Sequence, residues 1–349
     1  MNLVLEDKLS RKQSDALRKL RGLRKPKTED VFKRLIYLGP EDFKIIGYKK
    51  SKPTVAFNPA ALLEGNEILL LPRLIFDYYK YVSSVGLARL NIDDVLQGYC
   101  KTPISARIIL WPTKLWEFLG SEDPRVYKIN NKYYILYTGK GYYFEHRNYI
   151  RRDVLALAQY DNSWRLERKD YFSIIDNNEE FVPKSNKDSA FINMKNGESV
   201  LLTRPEIKGE RICWKGQVCI EDLKIYEKTL EPVMVYEKWE WKVGWSTNTV
   251  KLSSNEYLIG WHGVCIEDNC YRDGLAIVND EGELLAVSNY LLSPKELNEE
   301  YGDRPLVIFG DGLIKYKEFL LWIGGISDYA IGIFAAELNK ILEKMTWLR

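Results

Sequence analysis

Ile68–Arg73 (ILLLPR), Tyr134–Gly139 (YILYTG), Val200–Pro205 (VLLTRP), Leu258–Gly263 (LIGWHG) and Leu320–Gly325 (LLWIGG) are five short apolar segments that look alike. They recur about every 60 residues, the spacing of an architecture with one small sheet per repeat. Second apolar runs follow them, among them Val85–Leu90 (VGLARL), Val154–Gln159 (VLALAQ), Leu275–Val278 (LAIV) and Ala330–Ala336 (AIGIFAA). Turn signals separate the hairpins: Asn130-Asn131, Asn196-Gly197, Asp280-Glu281-Gly282 and Asp311-Gly312. One such unit cannot bury both of its faces. About four strands per unit and five units therefore predict an all-β protein, a five-bladed β-propeller closed around a channel.

Both ends of the chain depart from this repeat. Leu9, Leu17, Leu20 and Leu23 recur at near-helical intervals among Lys8, Arg11, Lys12, Arg18, Lys19, Arg21, Arg24 and Lys25. Thr28-Glu29-Asp30 reads as the cap of a second short helix over Val31–Leu35. Residues 1–36 are thus expected to be an N-terminal helical extension, docked on the body or on a sister subunit of a homo-oligomer, and 37–349 the propeller. Leu338, Ile341, Leu342 and Met345 predict a closing C-terminal helix over Ala335–Leu348.

The 349 residues carry a formal net charge of +2, which gives no reason to expect a nucleic-acid partner. Ten Trp, 23 Tyr and 12 Phe suit strands, and they also make flat platforms for sugar rings. Five cysteines (Cys100, Cys213, Cys219, Cys265, Cys270) form no CxxC pair, so reduced thiols are expected, with no metal site. The start MNLVLEDKLSRKQ has no apolar core of a secretory signal, and no apolar run nears the roughly 20 residues that span a bilayer. A cytoplasmic protein without a membrane partner is the expectation.

Polar residues stand at the ends of the repeated apolar segments, where innermost strands would meet the channel mouth. Arg73, Arg204 and His262 are such residues in three repeats, and convergence on one axis would build a pocket.

The most specific stretch is Gly120-Ser121-Glu122-Asp123-Pro124-Arg125 ahead of the aromatic strand Tyr133–Tyr137. It resembles the core motif of glycoside hydrolase family 130, five-bladed propellers that include β-mannoside phosphorylases and β-mannosidases. Further matches are Phe57-Asn58-Pro59-Ala60-Ala61, Ala158-Gln159-Tyr160-Asp161 with Trp164, Lys187-Asp188-Ser189-Ala190-Phe191 and Thr203-Arg204-Pro205. Lys242-Val243-Gly244, Gly260-Trp261-His262-Gly263 and Gly324-Gly325-Ile326-Ser327-Asp328 complete the series, so the resemblance covers about residues 55–335.

The resemblance implies that Asp123 is the proton donor, acting through a mannose hydroxyl. It implies sugar binding by Asn58, Arg73, Arg125 and Asp328, and phosphate binding by Lys187, Asp188, Arg204, Lys242 and His262. An inverting glycosidase needs an acid and a base, whereas a phosphorylase needs the acid and cations that hold a dianion. The full basic set therefore favours an inverting phosphorylase that cleaves β-mannosidic linkages with inorganic phosphate and yields α-mannose 1-phosphate. No cofactor is expected beyond phosphate as co-substrate. Two alternatives remain: a hydrolase using Glu122, Glu206 or Asp188 to activate water, and a non-catalytic glycan-binding propeller. The aromatic loop Gly141-Tyr142-Tyr143-Phe144-Glu145-His146-Arg147 suggests a platform on the acceptor side.

Overall fold

The computed structural model describes residues 3–348 except 78, 146, 178 and 196. His146 and Asn196 of the sequence reading thus lie outside the described residues. Strands dominate, in hydrogen-bonded sheets of four, nine, eight and six strands. The nine-stranded sheet holds two antiparallel meanders, joined along its length by the parallel Ser83–Gly120 bridge. Five meanders result.

The first begins with Val55–Glu64, Glu67–Ile75 and Ser83–Asn91; the second runs Gly120–Ile129, Lys132–Glu145, Asn148–Tyr160 and Leu166–Tyr171. The third begins with Asn186–Lys195, Glu198–Ile207 and Cys213–Cys219, and the fourth with Glu240–Trp245, Tyr257–Cys265, Tyr271–Val278 and Leu284–Ser288. Ile308–Tyr316, Phe319–Ile326 and Ala330–Glu337 form the fifth. Each repeated apolar segment lies in the second strand of its meander.

Hydrophobic clusters lie between successive meanders. Leu69, Leu71 and Val85 of the first meet Val126, Ile135 and Ala156 of the second. Leu136 and Leu157 meet Phe191, Leu201 and Trp214, and Ala190 and Leu202 meet Val243 and Trp261. Leu258 and Leu275 meet Trp322 and Phe334, and Leu321, Ile323 and Ile333 of the fifth return to Ala61, Leu70 and Ala88 of the first. Both faces of these strands are therefore buried, which is why the segments read as continuous apolar runs rather than alternating ones. The first strands of the first four meanders also pack side by side in chain order, and Ile308–Tyr316 packs against Tyr257–Cys265 and Tyr271–Val278 of the fourth and back against Val55–Glu64 of the first.

The N-terminal helix forms over Leu3–Lys19 and seats Leu5, Leu9 and Ala16 on the third meander of its own chain. Lys12 fixes it through the carbonyls of Glu227 and Leu230, both at 2.9 Å.

The second expected helix does not form. Lys33–Leu38 is a strand, antiparallel to Ala330–Glu337 at the edge of the fifth meander, and it crosses the expected boundary at residue 36. Glu29 and Val31 donate backbone hydrogen bonds to Tyr290 and Leu291, which hold the chain extended on the way in. Pairing with an open three-stranded edge outweighs a local capping signal. The C-terminal helix is shorter than expected, Leu338–Leu342; Ala335–Glu337 finish a strand, and Met345–Trp347 pairs with Leu284–Ser288. Among the cysteines Cys213, Cys265 and Cys270 are buried, Cys100 and Cys219 are half-buried, and all five are free thiols. Among the described residues no helix is long and apolar enough to cross a membrane.

Candidate active site

Three of the first strands carry the same irregularity. The register shifts between Phe57 and Ala60, between Glu122 and Arg125, and between Lys187 and Ala190. Each bulge holds an Asx residue in the left-handed region: Asn58 (φ 42°), Asp123 (φ 48°) and Asp188 (φ 54°). Asn and Asp tolerate that conformation better than other side-chain-bearing residues, and a bulge re-aims a side chain out of the pleat. All three line one cavity of about 250 Å³. Opposite the residue before each bulge, the second strand supplies Arg73 (paired with Phe57), Thr138 (with Glu122) and Arg204 (with Lys187).

One half of the cavity gathers carboxylates and an amide around Arg73. Arg73 donates from Nη1 to Asp123 Oδ1 at 2.9 Å, from Nη2 to Glu122 at 2.7 Å and from Nε to Ser83 at 2.9 Å. Asn58 Nδ2 also donates to Asp123 Oδ1, at 2.9 Å. Among the described residues Oδ2 of Asp123 receives no such bond and is left for a ligand. Burial works against the Asp123 charge, but Arg73, the Asn58 amide and Arg125 outweigh it and hold the carboxyl below its usual range. Asp328 lies in this half too, pushed up to about 6 by burial against the pull of Arg73. Gly325 is required here, because a Cβ on it would lie 1.9 Å from Asn58 Oδ1.

The other half is cationic. Lys187, Arg204, Lys242, His262 and Arg304 line it, with Asp188 among them. Arg204 grips Asp188 through Nε and Nη2, each 2.6 Å from Oδ2. Burial would raise the Asp188 pKa; Arg204, with His262, Arg125 and Lys187 nearby, more than reverses this and keeps it ionised. Lys187 is 3.6 Å from Asp153, and the charges of Asp153 and Asp188 outweigh its burial and raise its pKa. Lys242 donates to the Tyr271 hydroxyl, and burial followed by the Arg204 charge pushes its pKa down. Lys242 and Arg304 also lie over the Tyr271 ring, at 4.5 and 4.6 Å from its centroid.

His262 is fully buried, and that burial drives its pKa well below the usual value, so it is a neutral donor rather than the cation its sequence position suggested. Its Nδ1 meets Ser246 at 3.0 Å, and Nε2 has no hydrogen-bond partner among the described residues. Gly244 permits the approach, since a Cβ there would lie 2.6 Å from His262 and 2.8 Å from Arg204.

Arg125 is the exception among the expected ligands. It is 2% exposed and lies beneath the cavity, donating to the carbonyls of Asp123 (2.8 Å) and Ser246 (2.7 Å), with Asp311 at 2.8 Å. It holds the left-handed turn of Asp123 from behind and is not among the residues that line the cavity. The other nine expected residues come together.

The family profile described as beta-1,4-mannooligosaccharide phosphorylase, glycoside hydrolase family 130, matches residues 22–347. The chain belongs to that family. Two Thermoanaerobacter proteins, a beta-1,2-mannobiose phosphorylase and a 1,2-beta-oligomannan phosphorylase, are each 28% identical to this family-130 chain over 82% of its length, and over 91% and 90% of their own. The solved beta-1,2-mannobiose phosphorylase of Listeria innocua has the same fold, with a TM-score of 0.68 at 19% identity over 88% of this chain and 96% of that one.

Sequence reading gave no role to several cavity-lining residues, namely Tyr81, Lys140, Tyr271, Arg304 and Phe309, and considered Glu122 only for a hydrolase. Arg304 comes from an irregular loop and Lys140 from mid-strand, where no periodicity marks them. A signal did exist for the bulges: Asn58, Asp123 and Asp188 lie 65 positions apart.

Proposed function

We propose that this chain is an inverting β-mannoside phosphorylase on a five-bladed propeller, with the five meanders as blades and the cavity at the channel mouth. One observation carries the choice of phosphate over water: the cationic half of the cavity is under-neutralised. Asp188 is its one lining carboxylate and is already engaged by Arg204, whereas Lys242 and Arg304 have no carboxylate within 4 Å among the described residues. Lys242 is only 8% exposed. Burial and the Arg204 charge push the Lys242 pKa well below the usual lysine value, so its ammonium form is costly in the free cavity, and a phosphate dianion would supply the negative charge that favours it.

The three carboxylates named for activating water are engaged elsewhere. Glu122 binds Arg73 and Lys140, Asp188 binds Arg204, and Glu206, outside the cavity lining, binds Arg211 at 2.6 Å. This disfavours the hydrolase reading.

In the proposed reaction the mannosyl ring sits on Asn58, Arg73 and Asp328, with phosphate among Lys187, Arg204, Lys242 and neutral His262. A phosphate oxygen bonds to the anomeric carbon as the bond to the leaving oxygen breaks on the opposite face. The Asp123 carboxyl proton moves through a mannose hydroxyl to that oxygen, giving α-mannose 1-phosphate and a shortened saccharide. Asp123 is held ionised in the free site partly by Lys187. Phosphate beside that ammonium offsets its charge and raises the Asp123 pKa, which couples nucleophile binding to loading of the acid.

Five free thiols support a reducing, cytoplasmic setting. A homo-oligomer is not needed to cover the N-terminal leucine stripe, which its own third meander covers. The deciding assay measures sugar release from β-mannosides with and without phosphate. Phosphate-dependent formation of α-mannose 1-phosphate supports this reading; free mannose as sole product at millimolar phosphate refutes it.

A further inference from the structure

The second meander extends past the cavity as a long hairpin, Lys132–Glu145 paired with Asn148–Tyr160. Lys140 lines the cavity, and its cross-strand partner Asp153 faces the cavity residue Lys187 at 3.6 Å. Directly paired residues share a face of the sheet, and so do residues two apart along a strand. The face that carries Lys140 and Asp153 therefore continues outward through Tyr142 with Arg151 and then Phe144 with Tyr149. Each step moves about 7 Å from the cavity.

This face is aromatic and open. Phe144 and Tyr149 are 61% and 65% exposed, and their rings are 5.2 Å apart. Tyr142 joins Tyr149 at 6.1 Å, and Phe118, itself 62% exposed, flanks Tyr142 at 6.4 Å. The opposite face is the one held to the body: Tyr143 packs on Tyr171 at 5.4 Å, and Arg152 covers Tyr143 at 5.0 Å while bonding the Val182 carbonyl. Packing thus turns the aromatic face away from the core and aligns it with the cavity rim.

The cavity itself, at about 250 Å³, falls below the roughly 300–1,000 Å³ of sites that enclose a drug-sized ligand. A sugar ring and phosphate would fill it, so any further saccharide units must lie outside. We propose that Phe118, Tyr142, Phe144 and Tyr149 form a distal platform for those units, stacking the apolar faces of an extended β-mannosidic chain, with Arg151 at its edge for hydroxyls. The proposal rests on the mannoside-phosphorylase reading and specifies its substrate as an oligosaccharide longer than the cavity can hold.

The test compares parent enzyme with Phe144→Ala/Tyr149→Ala on β-mannobiose and on β-mannooligosaccharides of three to six units. Two lost stacking contacts should lower kcat/KM on the longer chains roughly ten- to a hundredfold. The disaccharide, too short to reach the platform, should turn over as with the parent. Equal effects on all lengths, or none on the longer chains, overturn the proposal. Altered oligomer state with unaltered length dependence also overturns it, since a second copy of the chain then covers this face. If the parent phosphorolyses no mannoside of any length, the phosphorylase reading fails instead. Retardation in β-mannan gels then decides the platform: loss in the double variant supports it, and equal or absent retardation rejects it.

Discussion

Lys242→Met removes the most telling amine in the cavity while preserving length and apolar bulk. Lys242 is 8% exposed, bonds the Tyr271 hydroxyl and has no carboxylate partner among the described residues, so its loss leaves no orphaned anion. Arg204→Ala is a less clean probe, because it would strand Asp188 beside the phosphate. One charge-assisted contact to a dianion contributes about 1.5–3 kcal/mol, so half-saturating phosphate should rise roughly ten- to 150-fold. Without phosphate the variant should melt at or above the parent's Tm, because a buried amine that has no counter-ion among the described residues has been removed. Phosphate at about a hundred times the parent's Kd stabilises the parent by roughly 2.7 kcal/mol, and a variant binding tenfold more weakly by roughly 1.4 kcal/mol. Initial rates against phosphate, with thermal melts over the same range, provide the assay. Unchanged half-saturation, or a clear drop in Tm without phosphate, would refute the claim that Lys242 is held in reserve for an anion.

Asp123→Asn should lower turnover by about two to four orders of magnitude with little change in melting, and near-parental turnover would remove Asp123 from the acid role. Asp328 is raised to about 6, so its ionisation costs the fold stability as pH rises through that value. Asp328→Asn should therefore gain stability relative to the parent as pH rises from about 4 to about 6, and lose the acid limb near 6 in kcat/KM for the mannoside; parallel melting curves over that range would contradict this. Arg24, bonded to Glu240 at 2.6 and 2.7 Å and stacked 4.3 Å from the Trp261 ring, ties the N-terminal strap to the strand that carries Lys242. Arg24→Met should cost about 3–5 kcal/mol in denaturant unfolding by leaving Glu240 buried without its cation, with only Tyr290 and the Glu237 amide still bonded to it, and with partial recovery in Arg24→Met/Glu240→Gln; a loss below about 1 kcal/mol would show the pair to be idle.

The repeat was legible in the chain because burial on both faces of every meander forces continuous apolar runs such as Ile68–Leu71, and that signature is local. The cavity-lining residues were legible through the family resemblance, and the bulge residues Asn58, Asp123 and Asp188 also through their constant spacing. Lys33–Leu38 was misread because its hydrogen-bond partners lie about 300 positions away, beyond any local capping rule.

Sequence by itself determined the all-β repeat and the family, and it named nine residues that line one cavity. Only the tertiary structure decided which charges are compensated, since that depends on neighbours from other meanders: Arg204 on Asp188, no carboxylate on Lys242, burial around His262. It alone sent Arg125 beneath the site and added Arg304 and Tyr271 to it. Composition places charges in the chain, but their pairing and desolvation are set through space, and those decide what the cavity can bind.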